Sequence, residues 1–190
     1  MTTLFLMDAA PAMSNIQLDL ETFGTSPGSA IRSIGACEFD PHGDQIGETF
    51  YANICDKSCE AAGLTRDQAT VTWWSQQTQR AQDALLVDQQ KLADVVQEFN
   101  QWFRKVRGIF VWSQGANFDQ PLWEAAARSV GQPVPWKFWN SRCTRTVYDI
   151  ASFDPKSVRR NGVHHNALDD AIYQSICVQK SYAKINGARS

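Results

Sequence analysis

This chain of 190 residues has little that would place it by composition alone. No apolar stretch approaches the ~18 residues that a membrane-spanning helix needs, so nothing is expected to cross a bilayer. An excess of basic residues is missing too: 18 Lys and Arg stand against 20 Asp and Glu, for a net charge of −2. That excludes a protein that coats nucleic acid through a broad positive field, and any contact with phosphates has to be local. The five cysteines (Cys37, Cys55, Cys59, Cys143 and Cys177) are odd in number and scattered, so they read as reduced thiols of a cytoplasmic protein. Cys55 and Cys59 have the spacing of half a zinc site, but no second pair or suitably placed histidine follows. Residues 1–14 lack the positive start and the longer apolar run of a signal peptide. They read as a short N-terminal extension, with Met13 as an alternative start. Repeats, linkers and low-complexity segments are absent.

What remains, residues 15–185, is long enough for one well-cored domain and short for two. Residues 16–21, 30–39 and 45–54 have strand patterns, and Asp40-Pro41-His42-Gly43-Asp44 makes a tight reversal between the last two. These three strands are expected to form an antiparallel meander. Three- and four-residue apolar steps predict helices over 66–80 and 88–106, the second through Leu92, Val95, Val96, Phe99, Trp102, Phe103 and Val106. A short strand at 108–112, a helix at 117–130 ended by Gly131, a break at Pro133-Val134-Pro135 and a closing helix at 167–185 complete the chain. Strands first, then alternating helix and strand, predict an α/β domain with a mixed sheet flanked by helices.

Five residues in order suggest a chemistry: Asp19 and Glu21, then Asp119, then His165 and Asp170. Four carboxylates and a histidine are what a two-metal phosphodiester hydrolase needs, the acids holding two divalent cations and the histidine activating a water. Asp-x-Glu alone is weak, because any half-exposed strand puts alternate acids on one face. Here it ends a buried-looking strand, Asn15 to Glu21, where unpaired carboxylates are costly unless a cation neutralises them. Asp119 follows a strand and opens a helix, which suits an ordinary dipole-stabilised acid as well as a ligand position at a strand's carboxyl end. In His164-His165-Asn166-Ala167-Leu168-Asp169-Asp170, spacing leaves open whether His164 pairs with Asp169 or His165 with Asp170. Arg142, Arg145, Lys156, Arg159 and Arg160 outnumber the two acids between them, a local excess for which a solvated surface is the commoner explanation and a phosphate track the alternative. Trp73-Trp74 fits a core helix or a stacking platform for bases.

Together these residues resemble the DEDDh branch of the ribonuclease H-like 3′→5′ exonucleases. The first motif corresponds to Leu18-Asp19-Leu20-Glu21-Thr22-Phe23-Gly24, the second to Asn117-Phe118-Asp119 and the third to His165-Asn166-Ala167-Leu168-Asp169-Asp170. The alanine at the third place selects His165 and Asp170 over their neighbours. Ala30 to Ala36, Thr72 to Gln77 and Trp136 to Thr146 are further similar to the bacteriophage DexA-type exonucleases and to ribonuclease T-like and exodeoxyribonuclease VIII-like proteins. At Cys143 the chain departs from the acid expected after the arginine, which bears on substrate positioning and not on the metal site.

The resemblance implies a ribonuclease H-like fold and a metal-dependent 3′→5′ exonuclease that releases nucleoside 5′-monophosphates. Asp19, Glu21, Asp119 and Asp170 would ligate two magnesium or manganese ions, with His165 as general base. The backbone of Thr22, Phe23 and Gly24 would hold the terminal 3′-hydroxyl, with Phe23 wedged against the last base and Arg142 and Arg145 contacting the strand. The expected partner is single-stranded nucleic acid with a free 3′-hydroxyl, DNA or RNA, with no membrane partner and a homodimer as an open option. Two other classes compete: a catalytically silent binding module, disfavoured because all five residues are present, and a proofreading domain beside a polymerase, disfavoured because no tail or linker offers a docking arm.

Overall fold

The computed structural model describes residues 13–187, so the predicted extension lies, up to residue 12, outside the described residues. Strands β1 (Asn15–Thr22), β2 (Ile31–Phe39) and β3 (Ile46–Asn53) pair antiparallel, as the meander pattern predicts. On the other side of β1, β4 (Phe110–Ser113) and β5 (Ser141–Cys143) add in parallel, giving the order β3-β2-β1-β4-β5.

Alternation along β1 assigns the two faces of the sheet. Ile16, Leu18 and Leu20 are buried with apolar residues of α4 (Leu92–Lys105) and α5 (Asp119–Ser129), among them Phe99, Phe103, Leu122 and Trp123. The opposite face carries Gln17, Asp19 and Glu21 and is crossed by α7 (Ala167–Gly187), whose Gln174 accepts a 2.6 Å hydrogen bond from Gln17 Nε2. Gly35, paired with Asp19 across β1 and β2, is what lets α7 come so close. A Cβ there would collide with the backbone of Ala167 and Leu168. The first turn of α7, and with it Asp170, therefore rests directly on the sheet beside Asp19.

The structure departs from the predicted elements where short-range chemistry beats periodicity. The helix predicted over 66–80 is two, α2 (Gln68–Ser75) and α3 (Gln79–Ala84), because Asp67 and Thr78 each cap a new N-terminus through Ala69 N (3.1 Å) and Ala81 N (3.3 Å). The helix predicted from 88 starts at Leu92, because Gln90 is held in extended pairing: its N–H bonds Asn53 O (2.9 Å) and its carbonyl accepts from Cys55 N (2.7 Å). Three short elements carried no periodic signal, namely α1 (Asp56–Ala61), β5 and α6 (Thr144–Ile150). Among the described residues no helix is long and apolar enough to cross a membrane, and all five cysteines are free thiols.

Candidate active site

Three separate segments deliver the four acids, and the loop before α7 adds the histidine. Asp19 and Glu21 alternate on β1, on the face toward α7, and a β-bulge between Glu21 and Thr22 ends their strand. Asp119 is the first residue of α5, and its Oδ1 accepts the Leu20 N–H at 3.2 Å, which ties the helix start to β1 between the two strand acids. Asp170 lies in the first turn of α7. His165 sits on the preceding loop at φ 64°, a left-handed conformation uncommon for a residue with a side chain. The ring centroid lies 4.9 Å from that of Trp73. A ligand atom from each of Glu21, His165 and Asp170 lies within 4.8 Å of the other two. One cavity of about 190 Å³ is lined by Asp19, Glu21, Asp119, His165 and Asp170, with Arg145 on its wall.

The same loop separates the two histidine–aspartate pairs that spacing left open. Asp169 turns back to accept the Val163 N–H at 2.6 Å and so fixes the loop, whereas Asp170 faces the cavity. His164 is exposed and meets His165 edge-on. Only His165 of the two lines the cavity.

Packing these carboxylates together has an electrostatic consequence. Burial pushes Asp19 up to about 7, against the opposing pull of a hydrogen bond from Gln174 and the charge of Arg160. Burial first, then the Asp19 and Asp119 charges, hold Glu21 well above the ordinary carboxylate range. Asp119 is raised in the same way, by burial and by Asp19. Acids in this state favour a proton or a cation. The guanidinium of Arg160 pairs with Asp170 and lies 4.7 Å over the Tyr173 ring. Burial, then His164 and Arg160, lowers His165 to about 4, so at neutral pH its imidazole is neutral and able to accept a proton. An oxygen-rich donor set with one imidazole fits hard divalent cations of the magnesium and manganese kind.

A second cavity of about 470 Å³ adjoins the first and shares Leu20, Glu21 and Phe118 with it. Thr22, Thr25, Asp67, Thr70 and Trp73 form much of its remaining wall. Trp73 is 40% exposed there, whereas its neighbour Trp74 is buried and donates from Nε1 to the Thr22 carbonyl at 2.8 Å. Both tryptophans thus line this cavity, Trp73 as an exposed ring and Trp74 as one anchored in the core.

Two of the residues expected to contact substrate lie outside both cavities. Phe23 does not wedge into the cavity: its ring is buried between the guanidinium groups of Arg32 (4.5 Å) and Arg66 (4.6 Å). The bulge before Thr22 reverses the alternation, so the side chain after it returns to the core, and Phe118 and Trp73 are the aromatic walls instead. Gly24 packs against Ser29 with no room for a side chain. Arg142 also lies outside both cavities, its guanidinium 4.4 Å over the Phe110 ring. Cys143 is the residue just before α6. Burial alone would raise its thiol, but the Ala116, Thr146 and Arg145 amides outweigh that and bring it down to about 7.

Sequence reasoning missed Gln174, whose Nε2 donates to Asp19 Oδ1 at 2.7 Å, although it lies one helical turn beyond Asp170 and that spacing was readable. It had no means of singling out Arg160 within its basic run, or Asp67 and Thr70 as pocket walls.

Residues 14–182 match the family described as the 3′-5′ exoribonuclease Rv2179c-like domain. An exodeoxyribonuclease of Enterobacteria phage T4 is 23% identical over 195 residues, covering 83% of this chain and 84% of the phage protein. The fold is that of Escherichia coli exonuclease I solved as a zinc-bound complex with single-stranded DNA, with a TM-score of 0.62 and 17% identity over 92% of this chain. This chain spans only 41% of that exonuclease I chain. The nuclease domain of 3′hExo, a DEDDh family member solved with rAMP, superposes with a TM-score of 0.55 at 11% identity, covering 87% of this chain and 90% of that one. The mixed five-stranded sheet is therefore the ribonuclease H-like fold of the DEDDh exonucleases.

Proposed function

This chain is an exonuclease domain that belongs to the 3′-5′ exoribonuclease Rv2179c-like family, and on that premise we propose that it shortens single-stranded nucleic acid from a free 3′-hydroxyl end and releases nucleoside 5′-monophosphates. The observation that carries this reading is the meeting of Asp19, Glu21, Asp119, His165 and Asp170, from distant parts of the chain, in one cavity. The catalytic unit we assign is a single domain over residues 15–185, working in the cytoplasm, where its five free thiols stay reduced.

Asp19, Glu21, Asp119 and Asp170 are the residues that would hold two magnesium or manganese ions. Such ions, when bound, neutralise phosphate charge and lower the pKa of a bound water. His165, neutral and aimed into the cavity, takes the proton from the attacking water at a ring nitrogen. Arg145 on the cavity wall offers its guanidinium to a phosphate oxygen. The adjoining cavity receives the terminal nucleotide, its base against Trp73 and Phe118 and its sugar toward Thr22, whose hydroxyl is held by the Gly24 carbonyl at 2.7 Å. None of these groups requires a 2′-hydroxyl for the chemistry, so both DNA and RNA are substrates.

The test uses matched 5′-labelled DNA and RNA oligonucleotides. Stepwise shortening that stops in excess EDTA, and that a 3′-phosphate blocks, is the expected result. Efficient cutting of a closed circular single strand, or undiminished hydrolysis in EDTA, would overturn the reading.

A further inference from the structure

Outside both cavities the most exposed aromatic surface is a 3₁₀ turn, Phe138–Asn140, that leads into β5. Phe138 is 81% exposed and Trp139 is 59% exposed, and their rings meet edge-on with centroids 4.8 Å apart. Water-facing rings of this size are unfavourable unless something covers them. The turn that displays them is nonetheless firmly held. On one side Trp136 is buried in the main core and donates from Nε1 to Glu124 at 3.2 Å. On the other, Arg142 Nη1 donates to the carbonyls of Trp139 (3.1 Å) and Ser141 (2.8 Å) while stacking on Phe110. The chain anchors both flanks and leaves only the two rings out.

The charge around the rings indicates the occupant. Lys137 Nζ lies 5.2 Å from the Trp139 ring centre, and residues 137–145 contain Lys137, Arg142 and Arg145 without a single acid. In a chain of net charge −2 that is an acid-free run, and it ends at Arg145 on the wall of the catalytic cavity. From this turn the three residues of β5 carry the chain to the start of α6, where Arg145 lies. Alternating rings and cations are the chemistry of single-strand binding, in which bases stack and phosphates are steered.

We propose that Phe138 and Trp139 form a stacking platform for bases on the 5′ side of the strand whose 3′ end occupies the catalytic cavity. This rests on the exonuclease reading above and assigns that site an outlying subsite. Arg142 is the residue that holds the platform in place, which gives the arginine outside the cavity a part in binding without contact to the reacting phosphate.

The experiment compares wild type with Phe138→Ala/Trp139→Ala, two surface positions whose loss leaves the core intact. KM and kcat are measured for a trinucleotide and a 12-mer in magnesium, and binding of a fluorescein-labelled dT 12-mer is measured by anisotropy in EDTA. The double variant is expected to raise KM for the 12-mer and weaken dT binding by about tenfold or more, the scale of stacking losses. Its kcat and its KM for the trinucleotide should be unchanged. Trp139→Phe should retain most of the 12-mer affinity. Equal 12-mer affinity in wild type and double variant would overturn the platform. So would sedimentation showing a wild-type dimer that the double variant splits, since the rings would then face a second copy. If wild type degraded neither substrate the exonuclease reading would fail, while the anisotropy would still decide the platform.

Discussion

The two adjoining cavities are built on opposite principles. The smaller is walled by charged groups brought from separate segments, with Asp19, Glu21 and Asp119 raised first by burial, Glu21 and Asp119 also by neighbouring acids, and Asp170 paired with Arg160. The larger is walled by the end of β1, the turn after it and α2, with three threonines and aromatic rings, and its shape depends on which ring is buried and which is displayed. Chemistry depends on residue types that are costly to bury and so stand out along the chain. Recognition depends on residue types that are common in any core, where only the packing tells a wall from a filler.

The sharpest way to break this comparison is at the proton acceptor. His165→Ala is expected to lower kcat by about 10²- to 10⁴-fold, the usual contribution of a general base, with His164→Ala near wild type. A crippled His164→Ala and a healthy His165→Ala would mean that the wrong ring had been assigned. Next, Asp19→Asn keeps the size of the side chain and removes a charged ligand. We expect a loss of at least about a hundredfold in single-turnover rate, together with weaker manganese binding by calorimetry.

The recognition side gives smaller and differently shaped effects. Trp73→Ala should raise KM by about fivefold or more with kcat nearly constant, since it removes one stacking surface. Phe23→Ala should act on stability and not on KM, costing about 3–5 kcal/mol in a denaturant melt because the ring fills core between two guanidinium groups. If Phe23→Ala instead melted like wild type and lost substrate affinity, the original wedge assignment would be restored.

The smallest expected effect is a pH dependence. Asp19 has a folded-state pKa of about 7 against an ordinary 3.8. Folding therefore binds its proton more tightly. The resulting stability is present at low pH and is lost as pH rises through about 7. In EDTA the melting temperature should fall between about pH 5 and about pH 8. Asp19→Asn should flatten that fall, and saturating magnesium should reduce it by replacing the proton. A melt in EDTA that rises over that window, with the variant tracking wild type, would contradict the electrostatic account of the cavity.

Legibility in the sequence differed between elements for physical reasons. Long periodic elements were readable, because burying one face of α4 requires Leu92, Val95, Phe99 and Phe103 at helical steps. Short elements were not, because three residues of β5 have no periodicity and are strand only by pairing with β4. The split between α2 and α3 lay in two capping side chains, a signal present but weaker than the apolar pattern around it.

By itself the sequence determined the meander and the α/β class, and it drew attention to Asp19, Glu21 and Asp119, because carboxylates in a buried strand or at a helix start are tolerated only when something neutralises them. His165 and Asp170 were chosen over their neighbours by the family resemblance alone. Only the tertiary structure decided which arginine meets an acid. Arg160 reaches Asp170 and Arg145 reaches the cavity, while Arg142 turns away to hold the aromatic turn. It also decided that Trp73 is exposed while Phe23 is enclosed, since a bulge after Glu21 turns Phe23 to the core. Residue type determines what a side chain can do, but the direction in which it points is set by backbone contacts made far away in the chain.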